Sequence, residues 1–131
     1  MDDVLSAVRV LVADDEDDIR ELVCLAVGKA TPAEVTAVAD GTAALEVARL
    51  HLPDLAVLDV SMPGATGLEV CAALRADPAT AGIRILLLSA GASLDDVARG
   101  LAAGADAYLA KPFSVAGLVH QIRALTERQP A

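Results

Sequence analysis

Five short strand-like runs, each followed by a one-faced helical pattern, constrain this chain more than any other feature of it. The runs are Val8 to Ala13, Glu34 to Val38, Leu55 to Leu58, Ile83 to Leu88 and Ala107 to Leu109. Short, mostly apolar runs bounded by turn residues suit strands, and the third and fourth suit strands buried on both faces. Between the runs, apolar residues recur at helical spacing. Ile19, Leu22, Val23, Ala26 and Val27 share one face, and Gly28 to Pro32 should end that helix. Ala44, Leu45 and Ala48 mark a second helix that stops before Pro53. Leu68, Cys71 and Leu74 lie on one side of a third, Gly67 to Arg75, closed by Asp77-Pro78. Ser93 can cap a fourth carrying Leu94, Val97, Ala98 and Leu101, with Gly104 at its end. Ser114 can cap a fifth with Val115, Leu118, Val119, Ile122 and Leu125 on one face. Residues 1–7 read as a loose lead-in and 128–131 as frayed.

Strict alternation of strand and helix implies an α/β fold, a parallel sheet with helices on both faces and right-handed crossovers. Five strands suit the flavodoxin-like order 2-1-3-4-5. No repeat or linker divides the 131 residues, so they read as one domain with its core over about 8–127. Hydrophobic residues make up 55% of the chain and aromatic ones 2%, so Ala, Val, Leu and Ile must fill the core. The net charge of −9 argues against direct binding of nucleic acid or an anionic membrane by this domain. Asp2 and Asp3 stand where a signal peptide would be basic. The longest apolar run, about Ile85 to Ala92, falls well short of the roughly 20 residues needed to span a bilayer. Cys24 and Cys71 lie within apolar helical patterns with no metal or redox spacing, and read as two buried free thiols in a cytoplasmic protein.

In the order 2-1-3-4-5 the first and third strands are neighbours, and ligands bind outside the carboxyl ends of strands at such a switch point. Asp14 and Asp15 leave the first strand there, and Asp59 leaves the third. Three converging carboxylates raise one another's pKa values unless a cation sits among them. Mg²⁺ takes carboxylate, water and phosphate oxygens. Asp59 could then attack phosphorus to form an acyl phosphate. Lys111 follows the fifth strand and suits a phosphoryl oxygen, and Ser89 follows the fourth with a hydroxyl donor. Asp17 and Asp18 read simply as acids favoured by a helix start.

These motifs together resemble the response-regulator receiver domain of two-component signalling, the CheY-like family. The resemblance rests on Asp14-Asp15, the Leu58-to-Gly64 stretch around Asp59, Ser89-Ala90, and Gly104 through Phe113 with its Lys111-Pro112. It covers about residues 8 to 127. It implies that Asp59 is the phosphoacceptor, loaded by a sensor histidine kinase or a histidine phosphotransfer protein. It implies Mg²⁺ (with Mn²⁺ as substitute) held by Asp15, Asp59 and the backbone carbonyl of Ser61, with Asp14 acting mainly through water. Lys111 would pair with the phosphoryl group, and the Lys111-Pro112 bond would be cis. Ser89 would move toward the phosphate and Tyr108 would rotate inward. That motion would reshape the face made by the fourth helix, fifth strand and fifth helix, which would control a downstream protein or output domain. Such a domain is a switch rather than an enzyme, catalysing only its own phosphorylation and dephosphorylation.

Some positions depart from the commonest pattern. Ser61 and Gly91 are small where the family tunes hydrolysis. Val97, Ala107, Gly117 and Gln121 are uncharged where winged-helix regulators use charged pairs to dimerise, which favours a monomer or weak dimer. His51 and His120 read as solvated surface residues. Tyr108 also fits a plain packing role. An alternative from another class is a Mg²⁺-dependent phosphatase with an aspartate nucleophile. Such enzymes carry a second Asp two residues on, where this chain has Ser61. A nucleotide-binding domain would need a Gly-rich loop after a strand, and none is present.

Overall fold

Strand and helix alternate along the whole of a computed structural model that describes residues 7–127 except residue 92. The elements are β1 (Val8–Ala13), α1 (Asp17–Ala30), β2 (Ala33–Val38), α2 (Gly41–His51), β3 (Leu55–Asp59), α3 (Gly67–Ala76), β4 (Arg84–Ser89), α4 (Leu94–Ala102), β5 (Ala107–Ala110) and α5 (Val115–Thr126). All five strands are parallel and lie in the expected order, β2-β1-β3-β4-β5. Most of the expected lead-in and all of the expected frayed end, residues 1–6 and 128–131, lie outside the described residues.

Side chains alternate across a strand, and that period of two splits the core into two layers. Leu11, Ala13, Ala56, Leu58, Ile85 and Leu87 face α2 and α3. Val10, Val12, Leu55, Val57, Leu86 and Leu88 face α1 and α5. The central strand β3 is buried along its whole length, as its composition implies. Each fully buried Leu contributes about 1.5–3 kcal/mol, so β3 and β4 anchor the sheet.

Local chemistry sets most helix ends. Ser93 and Ser114 cap α4 and α5 as expected, accepting from the N–H groups of Asp96 and Gly117 at 3.0 and 2.9 Å. Asp40 caps α2 through the Ala43 N–H at 2.7 Å. Thr66 and Glu69 form a reciprocal capping box on α3. Gly104, at φ +108°, follows the end of α4, in the left-handed region that favours glycine.

One expectation about helix ends is met, and two others need correction. α1 ends at Ala30, inside the expected Gly28-to-Pro32 stop, and runs through Gly28 because a single exposed glycine costs a helix only about 1 kcal/mol. Cys71 is buried, but Cys24 is only partly so, because β2 is an edge strand that leaves this side of α1 uncovered. Burial still pushes both thiols up, and both are free. The helical pattern of α4 is real but mostly not core. Leu94 is 89% exposed and Leu101 48%, while Gly100 is the residue that sits buried. There the backbone of α4 lies against the Tyr108 ring, whose nearest atom would be 2.8 Å from any Cβ at Gly100.

Gly67 opens α3 directly beneath the end of β3. A Cβ there would lie 2.4 Å from the carbonyl oxygen of Asp59 and 2.9 Å from the Cα of Val60. Gly82 has open space instead. Gly67→Ala should therefore lose about 2–3 kcal/mol in urea unfolding, against less than about 0.5 kcal/mol for Gly82→Ala. Equal losses would show that the close approach does not hold α3 in place.

Candidate functional site

Register brings the acids together. Ala13 of β1 pairs with Leu58 of β3, so Asp14 and Asp59, the next residues, stand side by side at the carboxyl edge. Both continue the alternation of the layer that faces α1 and α5. Lys111 falls on the same side two residues beyond Leu109, and its N–H bonds the Ser89 carbonyl at 2.7 Å. Its Nζ lies 3.3 Å from Asp14 Oδ2 and 3.3 Å from Asp59 Oδ1. Asp14 is 0% exposed and Asp59 4%, so both carboxylates are removed from water. The remaining Asp14 oxygen, Oδ1, accepts from the Glu16 N–H at 2.9 Å, and its carbonyl accepts from Arg20 Nη1 at 2.9 Å. The Lys111-Pro112 bond is cis, as expected.

The electrostatics are unbalanced. Burial first, and Asp14 second, push the Asp59 carboxyl up to about 6, against the pull of Lys111 and the Ser61 N–H. Burial alone would lower the Lys111 ammonium, but Asp59 and Asp14 outweigh it and hold it above its usual value. A partly uncompensated buried acid beside a lysine marks a candidate functional group. The donor set fits a hard cation: carboxylate oxygens of Asp14, Asp15 and Asp59 lie within 4.8 Å of one another, with Asp15 exposed at the mouth. Oxygen donors of this kind suit Mg²⁺ rather than a soft metal.

Ser89 and Tyr108 are not part of that cluster. Ser89 shares the strand parity of Ile85 and Leu87, on the opposite layer, and its Oγ accepts from the Gly91 N–H at 3.0 Å. Tyr108 is half-buried in the same layer, and its hydroxyl donates to the Gly91 carbonyl at 2.6 Å. The two meet at one residue of the loop after β4. Ser61 is exposed, and His51 and His120 are surface residues as expected. Sequence reasoning overlooked Glu16, whose Oε1 is also 3.3 Å from Lys111 Nζ. The signal was its place in the acidic run that follows β1.

With this geometry in view, residues 10–123 match the profile of the response regulator receiver domain. The transcriptional regulatory protein CseB of Streptomyces avermitilis is 45% identical over 119 residues, which are 91% of this chain and 49% of that protein. The probable transcriptional regulatory protein TcrX of Mycobacterium tuberculosis is 40% identical over 121 residues, 92% of this chain and 50% of that one. This chain thus spans about half the length of these relatives. The chemotaxis response regulator CheY4 of Vibrio cholerae superposes with a TM-score of 0.84 at 32% identity, covering 92% of this chain and 99% of that one. These similarities give the phosphatase alternative no support.

The raised pKa has a consequence for stability. Between about pH 4 and 6 the folded chain holds a proton on Asp59 that the unfolded chain has released, so stability falls as pH rises through this window. Asp59→Asn removes that cost. At pH 7.5 it should stabilise the chain by about 1–2 kcal/mol in urea unfolding, and the gain should vanish below pH 4. Destabilisation at pH 7.5 would mean that the Lys111 pairing outweighs burial and the repulsion from Asp14.

Proposed function

This chain belongs to the response regulator receiver family, and we propose that it is a switch phosphorylated on Asp59. The observation that carries the proposal is the buried Asp59 held 3.3 Å from Lys111, with Asp14 and Asp15 beside it. An Asp59 oxygen attacks the phosphorus of a phosphohistidine on a sensor kinase or phosphotransfer protein. A P–O bond forms, the P–N bond breaks, and the leaving imidazole takes up a proton. Lys111 is already in place to follow the phosphoryl oxygens. Asp14, Asp15, Asp59 and the Ser61 carbonyl would hold Mg²⁺ or Mn²⁺, which when bound neutralises charge that builds on those oxygens.

The signal then leaves through the opposite layer. Ser89 moves toward the phosphoryl, which frees the Gly91 N–H it now accepts from. Tyr108, bonded to the carbonyl of the same Gly91, turns inward. Added charge at one end of a two-state element thus shifts its population. The α4–β5–α5 face is the surface that changes, and the exposed Leu94 and Leu101 on α4 supply apolar area for a downstream protein or output domain. The described helices include none long and apolar enough to cross a membrane. The free thiols fit a cytoplasmic setting, and the acidic surface leaves any DNA contact to another domain. The chain as a whole acts as one receiver domain, monomeric or weakly dimeric.

Beryllofluoride with Mg²⁺ mimics the phosphoryl group on a carboxylate and tests this directly. Titration followed by amide shifts should show binding at Asp59 and changes at Gly91, Tyr108 and α4. Asp59→Ala should abolish both. Binding retained in that variant, or absent from the wild type with millimolar Mg²⁺, would overturn the proposal.

A further inference from the structure

Lys111 is shared three ways. Asp14, Asp59 and Glu16 each place a carboxylate oxygen 3.3 Å from its Nζ. The first two are buried acids at the floor of the site, whereas the Glu16 side chain is 64% exposed and stands at its mouth. Glu16 is therefore the only one of the three that draws the ammonium outward. Its Oε1 and Asp59 Oδ1 contact the same nitrogen, so the two oxygens lie within two such contact lengths of each other. The backbone fixes this placement: Glu16 is the N-cap of α1, and its N–H is bonded to Asp14 at 2.9 Å.

We propose that Glu16 is a positioning residue that competes with the incoming phosphoryl group for Lys111. The inference rests on the receiver function proposed above and adds a residue to it. A phosphoryl on Asp59 adds negative charge next to the Glu16 carboxylate and requires the same ammonium. Forming the phosphorylated state must therefore loosen the Glu16–Lys111 pair and bring two like charges closer. Glu16 thereby weakens retention of the phosphoryl, and it does so from an exposed position where salt screens it.

Glu16→Gln, nearly isosteric, removes the charge. In the metal-free full chain, the Lys111 Nζ resonance at fixed pH should shift in this variant; an unmoved resonance would overturn the pairing. At saturating Mg²⁺, beryllofluoride should bind Glu16→Gln about threefold to tenfold more tightly than wild type, and Glu16→Lys more tightly still. The advantage should shrink in about 0.5 M salt, which a purely structural effect of the substitution would not do. Equal or weaker binding by Glu16→Gln, with wild type binding normally, would overturn the role of Glu16 alone. Failure of wild type to bind would instead overturn the receiver function.

Discussion

Two carboxylates lie buried at the edge of an apolar sheet with one lysine between them, and the rest of the molecule is arranged to keep them there. Transfer of an ionised acid out of water is expensive, and a like charge beside it adds to the cost. Lys111 offsets part of this, which leaves the Asp59 carboxyl raised to about 6 and not at its usual value. The edge is thus held in a state that a cation would relieve. The all-buried β3, the close approach of Gly67 to the Asp59 carbonyl and the caps on neighbouring helices supply the rigidity that holds it.

Strand parity divides the work. Asp14, Asp59 and Lys111 belong to the layer facing α1 and α5, and Ser89 and Tyr108 to the layer facing α2 and α3. In the proposed function, chemistry and output therefore sit on opposite faces of one sheet, joined at the loop after β4, where Gly91 bonds to both Ser89 and Tyr108. α4 suits the output side because little holds it. It contributes one buried residue, Gly100, and leaves its large apolar side chains in solvent. A helix anchored through so few contacts belongs to the low-stability end of a structure, from which moving parts are drawn.

Much of this was legible in the sequence. The apolar period of the runs, the turn residues between them and the serine caps are local signals, and the strand order followed from strand number and alternation. The acids at the carboxyl ends of β1 and β3 were legible for the same reason: once the order is known, the ends of neighbouring strands must meet. The misreadings came where local pattern and tertiary cover part company. α4 carries a good one-faced pattern, yet the sheet beneath it is filled by Tyr108. Cys24 sits in an apolar pattern on α1, yet among the described residues no strand lies beyond β2 to cover it.

By itself, then, the sequence determined the elements, their order and which acids share an edge, because hydrophobic periodicity and turn chemistry act over a few residues. Only the tertiary structure decided that Lys111 reaches Asp14, Asp59 and Glu16 at equal distance, that Ser89 and Tyr108 turn to the other face, and that Leu94 and Leu101 stay in water. Those outcomes depend on sheet register and on which layer each side chain enters. Such contacts join residues as far apart in sequence as Asp14 and Lys111, and no local pattern encodes them.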